Sequence, residues 1–169
     1  MRKVINCLTE DNPVINKKLR KVSVDEGLKI AEELLNILSE RKDGIGLAAN
    51  QVGYDAAVAV VNVKEPLILI NPVIKEQWDE VPYYEGCLSY PSLYLNIKRP
   101  KGVVVKYQNV DGDLIHATFE ELAARVFQHE MDHMQGQNFT EYVSNFMLKS
   151  ARKKQKKLLK KGKQDGRVY

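Results

Sequence analysis

The sequence is poor in cysteine, with Cys7 and Cys87 alone, and it holds one tryptophan and three histidines in 169 residues. Two cysteines do not make a disulfide framework, so an oxidised secreted scaffold is excluded. No apolar run approaches the ~20 residues that a membrane span requires. The start, Met1-Arg2-Lys3-Val4-Ile5-Asn6, has a basic pair but lacks the apolar stretch of a signal peptide. Internal repeats and Pro/Gly/Ser-rich linkers are also absent. What is present is a 44% hydrophobic composition, too high for a disordered chain. The length suits one domain burying roughly two-thirds of its unfolded surface. The expectation is a single soluble, intracellular domain.

Charge is unevenly spread. Residues 149–167 hold ten Lys/Arg and one acid, Asp165, so this stretch carries +9 of a total of +4 and the rest of the chain is −5. A mildly acidic body is joined to a strongly basic tail, and any nucleic-acid affinity belongs to the tail.

Asp11-Asn12-Pro13 signals a turn. Ser23 with Glu26 reads as a capping box opening an amphipathic helix over 24–42, with Gly44 and Gly46 ending it. Short β-type runs follow at Ala57–Val63, Leu67–Ile70, Val103–Tyr107 and Leu114–Ala117, with Asp111-Gly112 as a hairpin turn. Thr118 with Glu121 reads as a second capping box, predicting a helix over about 119–134 that Gly136 stops. After Ser144 the chain is helix-permissive to Lys161, with a thin apolar stripe. The fold class expected is α+β: small antiparallel or mixed sheets around a central helix, an N-terminal amphipathic helix and a basic C-terminal helix.

The sharpest chemical signal is His129-Glu130-Met131-Asp132-His133. Positions i and i+4 share a helix face, so both imidazoles can bind one metal with Glu130 beside it. In such H-E-x-x-H sites the metal acidifies a water and the glutamate takes its proton. The alternative is a solvated face with two unrelated histidines. A catalytic site needs a third protein ligand and one open position. Glu141 and Asp165 are the acids that follow His133, and no further histidine does. Upstream stand His116 and Cys87, the latter in Glu85-Gly86-Cys87-Leu88-Ser89.

Three segments, Gly44-Ile45-Gly46-Leu47-Ala48-Ala49-Asn50-Gln51, Glu85–Ser89 and Gln128–His133, taken in this order resemble the motifs of the peptide deformylases, bacterial or bacteriophage-encoded. The resemblance extends to Pro13, Leu19-Arg20 and Arg99-Pro100 and covers roughly 1–147, leaving 148–169 as a separate basic tail. It implies Cys87, His129 and His133 as metal ligands and Glu130 as general base and acid. It further implies Gln51 and the Leu88 N–H as oxyanion donors, and Gly46 as backbone that pairs with an extended substrate. The metal implied is one divalent ion, Fe(II), with Zn, Ni or Co able to replace it. The activity implied is removal of the formyl group from N-formylmethionyl nascent chains in the cytoplasm, by a monomer. Met134, Tyr90 and Ser92 depart from the usual pattern and bear on the shape of the substrate groove.

Substrate choice should come from an apolar pocket beside the metal, and the resemblance implies that this pocket takes the methionine side chain. Leu122 and Val126 lie seven and three residues before His129 on its helical face, Ile45 comes from the first motif, and Tyr83 and Tyr94 flank the second. Leu122 and Val126 are equally explained as core. The basic tail suits RNA phosphates, or else simple solvation, and the resemblance implies the ribosome as the RNA; its narrow stripe argues against a membrane surface. The competing functions are an H-E-x-x-H endopeptidase, which needs a downstream third ligand, and an RNA-binding module with a closed four-ligand metal site.

Overall fold

A computed structural model describes residues 2–41 and 43–162 of the chain. Helix α1 spans Val24–Ser39, and Ser23 caps it by accepting the Glu26 N–H at 3.2 Å. Glu26 does not complete a capping box, because its carboxylate pairs with Arg20 instead. The helix stops at Ser39, short of the expected 42; Lys42 lies outside the described residues. Gly46 is no helix terminator: it opens strand β1 (Gly46–Ala48).

Strands β2 (Val58–Asn62), β3 (Pro66–Cys87), β4 (Tyr90–Gln108) and β5 (Leu114–Glu120) complete one sheet in the order β1-β2-β3-β4-β5. Every pairing is antiparallel, so the several sheets and mixed pairing left open by the sequence reduce to a single sheet. The period-two rule then sorts side chains to opposite faces. Leu47, Val58, Val60 and Ile70 pack against α1 residues such as Ile30 and Leu34. Their neighbours Ala48, Ala59, Val61 and Leu69 face the other way, onto a second helix.

That second helix, α2, spans Glu121–Gln135 and is buried over most of its length from Ala124 to Met134. Its start differs from expectation. Thr118 is a β5 residue opposite Val104, and the N-cap is Glu120, which makes no side-chain capping bond. At the other end Gly136 adopts φ 71° and returns its N–H to the Asp132 and His133 carbonyls. The turn is also crowded: a Cβ on Gly136 would stand 2.7 Å from the Asn16 and Lys17 backbone.

The long β3–β4 hairpin extends well beyond the strand runs visible in sequence. Residues 75–77, 79–80 and 82–84 are exposed, and the pairing shifts register near Ile70, Ile74 and Glu85, so no apolar alternation marks it. Trp78 lies over Gly102 on the facing strand, where a Cβ would meet its ring at 2.1 Å. Helix α3 (Asn145–Lys160) is capped by Ser144 and lies along β4. Its single fully buried residue is Gln155, which donates to the Pro91 carbonyl at 2.8 Å. Lys163, Asp165 and Arg167 of the basic tail lie outside the described residues. Among the described residues no helix is long and apolar enough to cross a membrane.

Gly136→Ala combines a left-handed backbone with a close approach to two carbonyl-bearing residues. It is expected to lower stability by about 2 kcal/mol, read from urea unfolding. A loss below a few tenths would show that the turn relaxes freely.

Candidate active site

The turn between β3 and β4 places Cys87 at a strand end, fully buried, against the inner face of α2. One face of that helix presents His129 and His133, whose rings stand 5.1 Å apart, centroid to centroid. The Cys87 Sγ is 3.3 Å from His133 Nε2. Donor atoms of Cys87, His129 and His133 all lie within 4.8 Å of one another. The third potential donor therefore comes from upstream of the helix. His116 is exposed on β5, and Glu141 spends a carboxylate oxygen on the Asn138 N–H at 2.9 Å, so neither alternative reaches the cluster.

Four buried atoms here have no protein partner: His129 Nε2, His133 Nδ1 and both oxygens of Glu130. Buried polar groups are nearly always paired, so orphans gathered in one place beside a thiol fit a site for a cation and its water. Gly46 makes room for this. A Cβ at that position would sit 2.3 Å from Glu130 Oε1 and 2.9 Å from Val126 Cγ1. Gln51 follows on the 3-10 turn Ala49–Val52. Its Oε1 accepts the Ala48 N–H at 2.9 Å, which turns Nε2 toward Ser89 Oγ at 3.2 Å and Cys87 Sγ at 3.5 Å.

Glu85 organises the outer layer. Its carboxylate accepts from Arg99 Nε at 2.6 Å and Nη2 at 3.0 Å, and from Arg125 Nη1 at 2.6 Å. His129 Nδ1 lies 3.1 Å from Glu85 Oε2, so the ring donates there and leaves Nε2 as the lone-pair nitrogen. Arg99 also reaches Asp132 at 2.7 Å. Burial alone would raise the Glu85 pKa, but the bonds from His129 and Arg99 and the Arg99 charge hold it down at about 2.

The other groups respond to the same enclosure. Burial pushes the Glu130 carboxyl up to about 7, with the Asp132 and Glu85 charges adding to the rise. Burial also opposes a charged His129, yet the adjacent Cys87 and Glu85 side chains carry its pKa well above the usual value. His133 goes the opposite way, depressed by burial and by the His129 and Arg99 charges.

The remaining sequence-selected residues divide. Leu88 is buried at the hairpin tip and packs on the α1 side. Val126 touches the space above Gly46, and Ile45 borders the core beside it. Tyr83 and Leu122 line one cavity of about 230 Å³ with Val81, Pro100 and Arg125. Tyr94 is not with them: it lines a separate cavity between β4 and α3, near Phe146 and Met147. Sequence pattern alone assigns no role to Glu85, Arg125 or Asp132, although Glu85 and Asp132 sit inside the motifs.

Fold and donor set together define a class: an α+β protein whose buried helix presents two imidazoles and a carboxylate to a thiol, the arrangement of a mononuclear metallohydrolase. The family model for polypeptide deformylase matches residues 4–149, and the chain belongs to that family. A peptide deformylase of Aquifex aeolicus is 37% identical over 162 residues, covering 88% of this chain and 93% of the relative. Peptide deformylase 1B of Arabidopsis thaliana is 35% identical over 89% of this chain, which spans 58% of that relative's length. The crystal structure of a peptide deformylase from Legionella pneumophila superposes with a TM-score of 0.84 at 30% identity, covering 96% of this chain and 97% of the other.

Because the folded Glu85 pKa lies below its ordinary 4.5, its contribution is complete above about pH 4.5 and is lost as pH falls toward 2. Glu85→Gln should therefore cost about 3 kcal/mol at pH 7, with the gap to the parent closing under acid. Urea unfolding at pH 7, 5 and 3.5 measures this; a gap independent of pH would contradict the assignment.

Proposed function

We propose that the chain hydrolyses the N-formyl group of formylmethionyl polypeptides, releasing formate and a free amino terminus. The reading is carried by one observation: the Cys87, His129 and His133 donors converge within 4.8 Å beside a Glu130 carboxylate that lacks any protein partner. Cys87, His129 and His133 would hold one divalent cation, Fe(II) in the cell, with Zn, Ni or Co also compatible with this donor set. Bound there, the cation would acidify a water and polarise the formyl carbonyl.

The chain's own residues then act in order. Glu130 takes a proton from the attacking water, whose oxygen bonds to the formyl carbon. Gln51 Nε2 and the Leu88 N–H donate to the oxygen that becomes negative, one such donor being worth ~3–4 kcal/mol. As the carbon–nitrogen bond breaks, Glu130 returns the proton to the departing amine. A carboxyl with pKa about 7 suits both halves of that exchange. Gly46 offers its backbone to an extended substrate, and Ile45, Tyr83, Leu122 and Val126 border the side-chain pocket. Tyr94 lies outside this pocket and is not retained in it.

Residues 1–147 form the catalytic part in this reading and 148–169 a basic extension. The extension would bind ribosomal RNA through its lysines, keeping a monomeric enzyme near nascent chains in the cytoplasm. An endopeptidase is disfavoured, because Glu141 does not join the cluster.

Anaerobically prepared protein with measured metal content should release formate from formyl-Met-Ala-Ser and leave internal peptide bonds intact. Cys87→Ala and Glu130→Ala should abolish release, and Gln51→Ala should lower kcat about 10²- to 10³-fold. Release that survives the first two changes would defeat the site assignment. For the extension, full-length protein should co-sediment with ribosomes at low salt and dissociate at high salt. Replacing Lys153, Lys156, Lys157 and Lys160 by Glu should abolish that binding, and unchanged binding would refute it.

A further inference from the structure

The N-terminal segment makes backbone contact with both loops that carry the oxyanion donors. The Ile5 N–H donates to the Gln51 carbonyl at 2.7 Å, and the Cys7 N–H donates to the Ser89 carbonyl at 2.9 Å. The two N–H groups stand two residues apart, where an irregular segment enters a turn, so one short stretch of chain grips two loops at once. Those loops belong to different parts of the sheet: Gln51 follows β1, and Ser89 is at the β3–β4 turn. Among the described residues no direct backbone hydrogen bond outside regular elements joins them. They share an apolar cluster through Ala49, Val52 and Leu88, which sets no hydrogen-bond register, and the Gln51 side chain bridges them but must also serve the substrate.

The segment is itself fastened at Arg2. The Arg2 N–H donates to Glu33 Oε1 at 2.6 Å, and its guanidinium donates to the Gly53 carbonyl at 3.0 Å. That guanidinium lies over the Tyr54 ring, 3.9 Å from its centroid, while Tyr54 Oη donates to Glu33 Oε2 at 2.6 Å. Two of these contacts, to Gly53 and Tyr54, fall within three residues of Gln51. Ile5 is buried behind the fastening.

We infer that Arg2, closed by Glu33 and Tyr54, is a positioning residue for the oxyanion hole: it holds segment 2–7 as a clasp fixing the Gln51 loop relative to the Leu88 N–H. The inference rests on the proposed roles of Gln51 and Leu88. Its physical basis is that two donors on separate loops act together only if their spacing is held to a fraction of an ångström. A 1 Å error in such geometry costs on the order of 10²-fold in rate. Arg2 is exposed and touches neither substrate nor the Cys87 cluster, so its loss leaves the core and the ligands in place.

Full-length Arg2→Ala should keep its metal content and KM within twofold while kcat falls about tenfold. Arg2→Lys, which keeps a cation and donors, should recover most of that loss, and Tyr54→Phe should lower kcat two- to threefold. Arg20→Ala, an exposed cation elsewhere, should leave kcat unchanged. Hydrogen exchange supplies a readout independent of turnover: in Arg2→Ala, segments 47–53 and 86–92 should both exchange faster, with 124–134 unaffected. An unchanged kcat, a loss that follows metal content or KM, or faster exchange in one loop alone would overturn the clasp. If the parent releases no formate, the functional reading fails, and the exchange experiment still decides whether Arg2 couples the two loops.

Discussion

A buried carboxylate, Glu85, accepts hydrogen bonds from two arginines and a histidine, and much of the molecule is arranged so that it can. An unpaired charge at that depth would cost several kcal/mol, so the partners must be present and correctly aimed. Arg99 comes from β4, Arg125 and His129 from α2, and Glu85 itself from β3. The network therefore ties the long hairpin to the central helix at the level where Cys87 meets the imidazoles. Orientation of His129 is a by-product of charge neutralisation: the ring nitrogen that donates to Glu85 leaves the other one bare.

The sheet contributes by separating two jobs. One face of β1–β2–β3 supports α1 and forms an ordinary core. The opposite face receives α2, whose buried surface is apolar on the sheet side and carries His129, Glu130 and His133 toward the Cys87 turn. Small residues decide how close the layers come. Ala48, Ala59 and Ala124 are fully buried at this junction, and Gly46 lets a carboxylate occupy the volume of a missing methyl. Glu130 is consequently enclosed by the Gly46 backbone and by Val126, with no protein hydrogen-bond partner for its oxygens.

The chemical centre was largely legible in the sequence because its residues are local in pattern. A helix with histidines four apart announces itself, and Cys87 sits in a compact motif. Helix α1 and the 109–113 turn were legible for the same reason, each being coded by neighbours. What escaped was non-local. The outer hairpin is exposed on both faces, so it has no alternation to read, and Thr118 looked like a cap only because its cross-strand partner Val104 is invisible from sequence. Arg125 reads as a polar interruption in an apolar helix face; its purpose appears only when Glu85, forty residues earlier, is brought beneath it. Tyr94 flanks the right motif but turns toward α3, since successive strand residues point to opposite sides.

The outer hairpin has one more consequence, for spectroscopy. Trp78, the only indole in the chain, rests on Gly102 nine residues before Cys87, about 30 Å away along an extended strand. Tryptophan emission thus reports the packing of Trp78 on Gly102 in the outer part of the hairpin. A fluorescence change marks a change in that contact, and a steady signal says nothing about events around Glu130.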